Sequence, residues 1–121
     1  MVDITAQVNS AIEECNLREG AVLVYVPHTT AAVTVNEGAD TDVQTDIIGK
    51  LARLIPHRDG YDHLEGNSDA HIKSSLIGVD EMIPVKDSRL VLGTWQKVFF
   101  CEFDGPRTRR FHVVPIDGGV A

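Results

Sequence analysis

Glu81-Met82-Ile83-Pro84-Val85-Lys86, the pair Asp87-Ser88, Arg89-Leu90-Val91-Leu92-Gly93, then Gln96-Lys97-Val98-Phe99-Phe100-Cys101-Glu102-Phe103, the turn Asp104-Gly105-Pro106 and Arg109-Arg110-Phe111-His112-Val113-Val114-Pro115 read as four strands joined by turns. Runs of β-branched and aromatic residues bounded by Asp, Ser, Gly and Pro carry that signal, and the short connections predict an antiparallel meander. Upstream the apolar period is mostly helical. Asp3 caps a helix with Ile4, Val8, Ile12 and Cys15 at helical spacing and Gly20 as its stop; a second helix runs from Asp40 to Ile55 with Val43, Ile47, Leu51 and Leu54 on one face; a third runs from the cap at Asn67 or Ser68 to Ile77, ended by Gly78. Between the first two helices, Ala21–Val26 reads as a buried strand and Ala31–Asn36 as a second strand. The class is α+β with about three helices.

The 121 residues fit one domain (1–121), whose tail Asp117–Ala121 is expected to fray. The apolar run Ala21–Val26 is far short of the ~20 residues a membrane span needs, and Met1-Val2-Asp3 has no positive leader, so no membrane association is expected. Cys15 and Cys101 form no disulfide framework. Both fall at apolar positions of periodic segments, as small hydrophobes in the reducing cytoplasm. The net charge of −7 argues against a nucleic-acid partner. Residues 1–69 hold 12 acids and 4 bases, whereas 70–121 hold 6 acids and 7 bases, with Arg107, Arg109 and Arg110 together. That local cluster is where an anion would bind.

Three stretches carry chemistry. In Pro27-His28-Thr29-Thr30-Ala31-Ala32-Val33-Thr34-Val35-Asn36-Glu37, alternation puts His28, Thr30, Ala32, Thr34 and Asn36 on one face. This row has hydrogen-bonding groups but no Lys, Glu or Arg, which favours a pocket floor over a solvated face. In His63-Leu64-Glu65-Gly66-Asn67-Ser68-Asp69-Ala70-His71, two imidazoles and a carboxylate converge near a helix start. Taken singly, His57, His63 and His71 read as surface residues. Together, His28, His63 and His71 with Glu65 would suffice for a divalent metal with an open position, or would act as acid and base. In the third stretch, Trp95 is a stacking or interface residue, and Val98, Phe100 and Glu102 share an apolar face. A carboxylate there needs a partner, and the nearby arginines either pin the hairpin or hold phosphate with help from the helix start at Asn67-Ser68. Cys101 is expected in the core.

Across Pro27-His28-Thr29-Thr30-Ala31-Ala32 with Asn36-Glu37, His63-x-Glu65-Gly66-Asn67 with Ala70-His71, and Leu92-Gly93-Thr94-Trp95-Gln96 with Glu102-x-Asp104-Gly105-Pro106-Arg107-x-Arg109, the chain resembles the YjbQ-like family, described as secondary thiamine-phosphate synthase enzymes. The resemblance spans Asp3 to about Val114. It implies an α+β fold with a mainly antiparallel, β-sandwich-like core, a homotrimer, and a metal or anion in the pocket. It also implies a weak transferase coupling hydroxymethylpyrimidine diphosphate to thiazole phosphate with release of pyrophosphate. On the matching positions, His28, Asn36, Glu37, Glu65 and Asn67 are the expected catalytic residues, Arg107 and Arg109 the phosphate ligands, and His28, His63 and His71 the ligands of a divalent ion, zinc or magnesium. A metal-dependent phosphoester hydrolase and a non-catalytic trimeric binder of a phosphorylated metabolite use the same residues. Family members begin with a further strand before Asp3-Ile4-Thr5. Either the start is truncated here or an edge strand is absent, and in the second case a sheet edge is expected to be exposed.

Overall fold

The computed structural model describes residues 1–118. Within them run β1 (Val2–Asp3), α1 (Thr5–Glu14), β2 (Gly20–Tyr25), β3 (Ala31–Glu37), α2 (Thr41–Leu54), α3 (Ser68–Ile77), β4 (Asp80–Lys86), β5 (Arg89–Leu90), β6 (Gln96–Glu102) and β7 (His112–Asp117). The strands pair antiparallel in two sheets, ordered β1-β6-β3 and β5-β4-β2-β7. The fold is α+β, as the patterning predicts.

The strand order differs from a meander. β4 and β5 do form a hairpin around Asp87 and Ser88, whose φ of 52° and 61° suit a two-residue turn. After it, β6 crosses to the other sheet, between β1 and β3, and β7 returns to pair with β2. Alternation assigns faces and says nothing of neighbours. Two facing sheets bury Val98 and Phe100 of β6 and Val33 of β3 against Val22 and Val24 of β2 and Ile83 and Val85 of β4, an enclosure a single meander would not supply. Val8 and Ile12 of α1 join that core fully buried, each such side chain contributing roughly 1.5–3 kcal/mol.

The first two helix starts are capped as expected, whereas Asn67 stands at the start of α3 with no side-chain cap bond, and the stop of α1 and the place of Cys15 differ. Asp3 Oδ1 accepts the Thr5 N–H at 2.9 Å, and Asp40 Oδ1 accepts that of Asp42 at 2.9 Å. The stop of α1 is Asn16, at φ 57°, after which Leu17 N–H reaches Ile12 O at 3.3 Å. Gly20 instead opens β2 at φ 145°, where a Cβ would lie 2.1 Å from Ile116 O. Leu17 fills the core position expected of Cys15, whose thiol is exposed and donates to Ile12 O at 3.4 Å. α2 buries only Leu51 of its apolar face, leaving Leu54 exposed.

A two-residue strand, β1, lies on the edge of β6. Val2 and Asp3 pair with Phe100 and Phe99, and Val98 gives its C=O to Ile4 N–H and its N–H to Thr5 Oγ1, both at 2.9 Å. The edge of β6 is thus occupied from Val98 to Phe100. The tail is ordered further than its composition suggests, because Asp117 pairs with Gly20 and Gly118 N–H donates to Glu19 O at 2.9 Å. The remainder of that expectation, 119–121, lies outside the described residues.

Candidate functional site

Three chain segments meet at one end of the sheets. β2 ends before Pro27, and Pro27 to Thr30 bridges to β3. The loop after α2 brings His63 and Glu65 to the start of α3, which carries Asn67 at its cap and His71 in its first turn. The turn after β6 brings Asp104, Arg107 and Arg109. Together they line a cavity of about 440 Å³ that includes His28, His63, Glu65, Asn67, His71 and Arg107.

Carboxylates hold both arginines. Arg109 donates from Nε and Nη2 to Glu102 Oε1 and Oε2, both at 2.6 Å, and from Nη2 to Thr30 Oγ1 at 2.8 Å and Thr30 O at 3.2 Å. The Arg109 hydrogen bonds outweigh burial and hold the Glu102 carboxyl below its ordinary range, while Glu102 in turn raises the already high Arg109 value. Arg109 is therefore first a clasp between β6, the following turn and Thr30. Arg107, half-exposed, donates from Nε to Asp104 O at 3.0 Å and from Nη2 to Asp104 Oδ2 at 2.9 Å, leaving Nη1 for a ligand. Asn67 Nδ2 binds the same Asp104 oxygen at 2.9 Å. That amide, opposed by partial burial and helped by Arg107, keeps Asp104 below the usual carboxylate range. The expected pinning of the hairpin is made by Arg109 to Glu102 and by Arg107 to Asp104.

His63 and His71 meet edge to face with ring centroids 5.5 Å apart, and Glu65 Oε2 lies 3.9 Å from His63 Nε2. His28 Nε2 accepts the Arg110 backbone N–H at 3.1 Å, so in that bond the ring proton sits on Nδ1. Among the described residues no three His, Cys, Asp or Glu groups are placed to hold a metal ion together. A three-histidine centre does not fit one chain in this arrangement, because the backbone occupies the His28 nitrogen. The His63–His71 pair is the imidazole set that remains.

Two expected site residues lie elsewhere. Asn36 and Glu37 sit at the far end of β3, outside the cavity lining. Asn36 Oδ1 accepts the Glu37 N–H at 2.7 Å, and Glu37 Oε2 accepts those of Ala39 and Asp40 at 2.6 and 3.3 Å. These bonds shape the turn into α2. Six residues of strand, roughly 20 Å, separate them from Thr30. Of the expected floor of hydrogen-bonding groups, His28 and Thr30 line the cavity and Ala32, Thr34 and Asn36 do not: Ala32 is fully buried and pairs with Cys101, and Ser74 Oγ of α3 donates to Ala31 O at 2.6 Å. Trp95 is exposed and lies away from the cavity.

Two acids outside the expected site residues hold polar bonds near the site. Asp104, an acid three positions before Arg107, carries a visible signal. Asp69 does not: buried, it binds His57 Nδ1 at 3.1 Å and Lys73 Nζ at 3.5 Å. Burial opposes its ionisation, yet those partners hold it below the ordinary carboxylate range. Cys101 is a core thiol, pushed up to about 11 by burial.

A family model described as UPF0047 protein YjbQ-like matches residues 1–118. The chain belongs to the YjbQ-like UPF0047 family. Among its YjbQ-like relatives, UPF0047 protein MJ1081 of Methanocaldococcus jannaschii is 56% identical over 113 residues, covering 93% of this chain and 82% of that protein. UPF0047 protein YugU of Bacillus subtilis is 46% identical over 114 residues, 93% and 86% of the two. The crystal structure of an uncharacterised YjbQ/UPF0047 protein from Clostridium acetobutylicum superposes with a TM-score of 0.91 at 47% identity, covering 93% of this chain and 87% of the other. A YjbQ-like protein of unknown function from Sulfolobus solfataricus gives 0.87 at 35% identity, covering 93% and 83%. No helix among the described residues is long and apolar enough to cross a membrane.

Proposed function

We propose that the cavity binds a phosphorylated small molecule, and that the chain works in the cytoplasm as a homotrimeric, weak transferase of thiamine-phosphate synthase type. The reaction joins hydroxymethylpyrimidine diphosphate to thiazole phosphate and releases pyrophosphate. The observation that carries the reading is the meeting of Arg107, His28, His63, His71 and Glu65, drawn from three segments, in one cavity. A diphosphate leaving group needs cations placed beforehand. Asp104 fixes the Arg107 guanidinium and leaves Nη1 toward the ligand, and Arg109 holds the turn in place behind it.

Both arginines already face carboxylates, so the dianionic charge of a phosphate calls for a further cation. A divalent ion on His63 and His71, completed by ligand oxygens, would supply it. Imidazole donors favour zinc over magnesium, which prefers oxygen. His28 Nδ1–H points the ring as a hydrogen-bond donor, while Glu65 and Asn67 orient the ligand at the start of α3.

Purified protein incubated with the two precursors, with and without zinc or magnesium, is expected to form thiamine phosphate, and His28→Ala to abolish it. Equal trace rates in wild type and His28→Ala would remove the site assignment. Metal-dependent phosphate release from simple esters without coupling would replace the transferase by a hydrolase. Binding that needs Arg107 but no turnover would leave a binding protein.

A further inference from the structure

Arg107 and Arg109 form a wall shared by two cavities. One is the polar cavity above. The other, of about 340 Å³, is apolar, lined on its remaining sides chiefly by Val2, Phe100, Pro106 and Phe111. The Phe100 and Phe111 rings stand 6.4 Å apart by centroid, tilted by 46°. Phe111 is half-buried and Val2 forms an exposed lip. The volume falls at the small end of the range of small-molecule sites, roughly 300–1,000 Å³.

We propose that this second cavity receives the ring-sized apolar body of an anionic ligand whose phosphate rests on Arg107, an assignment that rests on the phosphate reading of the polar cavity. The occupant follows from shape and charge. Two phenyl rings and a proline offer apolar walls, and the volume admits a ring. The one carboxylate on the lining, Glu102, is neutralised by its two bonds to Arg109, so an anion meets no unpaired negative charge there. The Arg107 bonds to Asp104 employ Nε and Nη2, so Nη1 is the donor at the boundary between the ring site and the phosphate site.

Calorimetry on the full chain with inorganic phosphate, methyl phosphate and benzyl phosphate tests this. Benzyl phosphate is expected to bind about tenfold or more tightly than methyl phosphate. Phe111→Ala should erase that preference and leave inorganic phosphate affinity within about twofold. Val2→Ser, on the exposed lip, should weaken that preference without touching the core or adding charge, which covers the case of a poorly folded Phe111 variant. Arg107→Ala should weaken all three probes. Equal affinity for methyl and benzyl phosphate, or a preference surviving both Phe111→Ala and Val2→Ser, overturns the assignment. So does a fall in assembly mass on adding benzyl phosphate, since the groove would then be a contact between copies. Absence of any phosphate binding overturns the underlying phosphate reading, whereas phosphate binding without ring preference overturns only the ring site.

Discussion

The two ends of β3 look alike in sequence, each a polar cluster flanking a Val-rich run, yet they do different work. At the start, Thr30 is buried and receives Arg109 from 79 residues away, and Ala31 O receives Ser74 from 43 away. At the other end, the side chains of Asn36 and Glu37 bond to the next few residues. Long-range polar bonds mark the end where separate segments converge and a cavity forms. Local ones mark a turn.

The sharpest way to break this contrast is Arg109→Ala. It removes both guanidinium bonds from Glu102 and the two to Thr30, leaving Glu102 only the Asp104 N–H and Thr30 O only the Phe103 N–H, and chemical denaturation should show a loss of about 3 kcal/mol. Acid unfolding tests the same clasp. Glu102, Asp104 and Asp69 ionise more readily folded than unfolded, so their contribution is complete above the ordinary carboxylate range, about pH 4–4.5, and is lost as pH falls through the lower folded values. Stability measured from pH 5 to 2 should fall steeply in the wild type and less steeply in Glu102→Gln. A flat wild-type profile would contradict the assigned pairs. Ser74→Ala should cost about 1–2 kcal/mol, since Ala31 O then lacks its side-chain donor. Glu37→Ala, at the local end, should cost about 0.5–1 kcal/mol and leave phosphate binding unchanged. Loss of binding in that variant would return Glu37 to the site.

The same distinction explains how much was legible in the residues. Asp3, Asp40 and Gly78 act within a few positions, so helix limits follow from the chain itself. Strand partners do not: nothing in Gln96–Glu102 announces that β6 lies between β1 and β3, because alternation is satisfied equally in either sheet. His28, His63, His71 and Arg107 stood out as polar groups without structural need, and the fold gathers them. Asn36 stood out for the same reason and is not gathered, since a face extrapolated along a strand carries no information on what packs over it. α3 packs there, and Ser74, which fastens it, has no distinguishing pattern in a helix of mixed polarity.

The two thiols have a practical consequence. Cys101 is shut in the core with its ionisation pushed up to about 11, while Cys15 is exposed at the end of α1 and outside the cavity lining. A maleimide dye at neutral pH should attach once, at Cys15, because thiolate and access are both needed for reaction. The wild-type chain thus offers a built-in point for a fluorophore, with which mixing differently coloured copies tests the proposed trimer without altering a single residue.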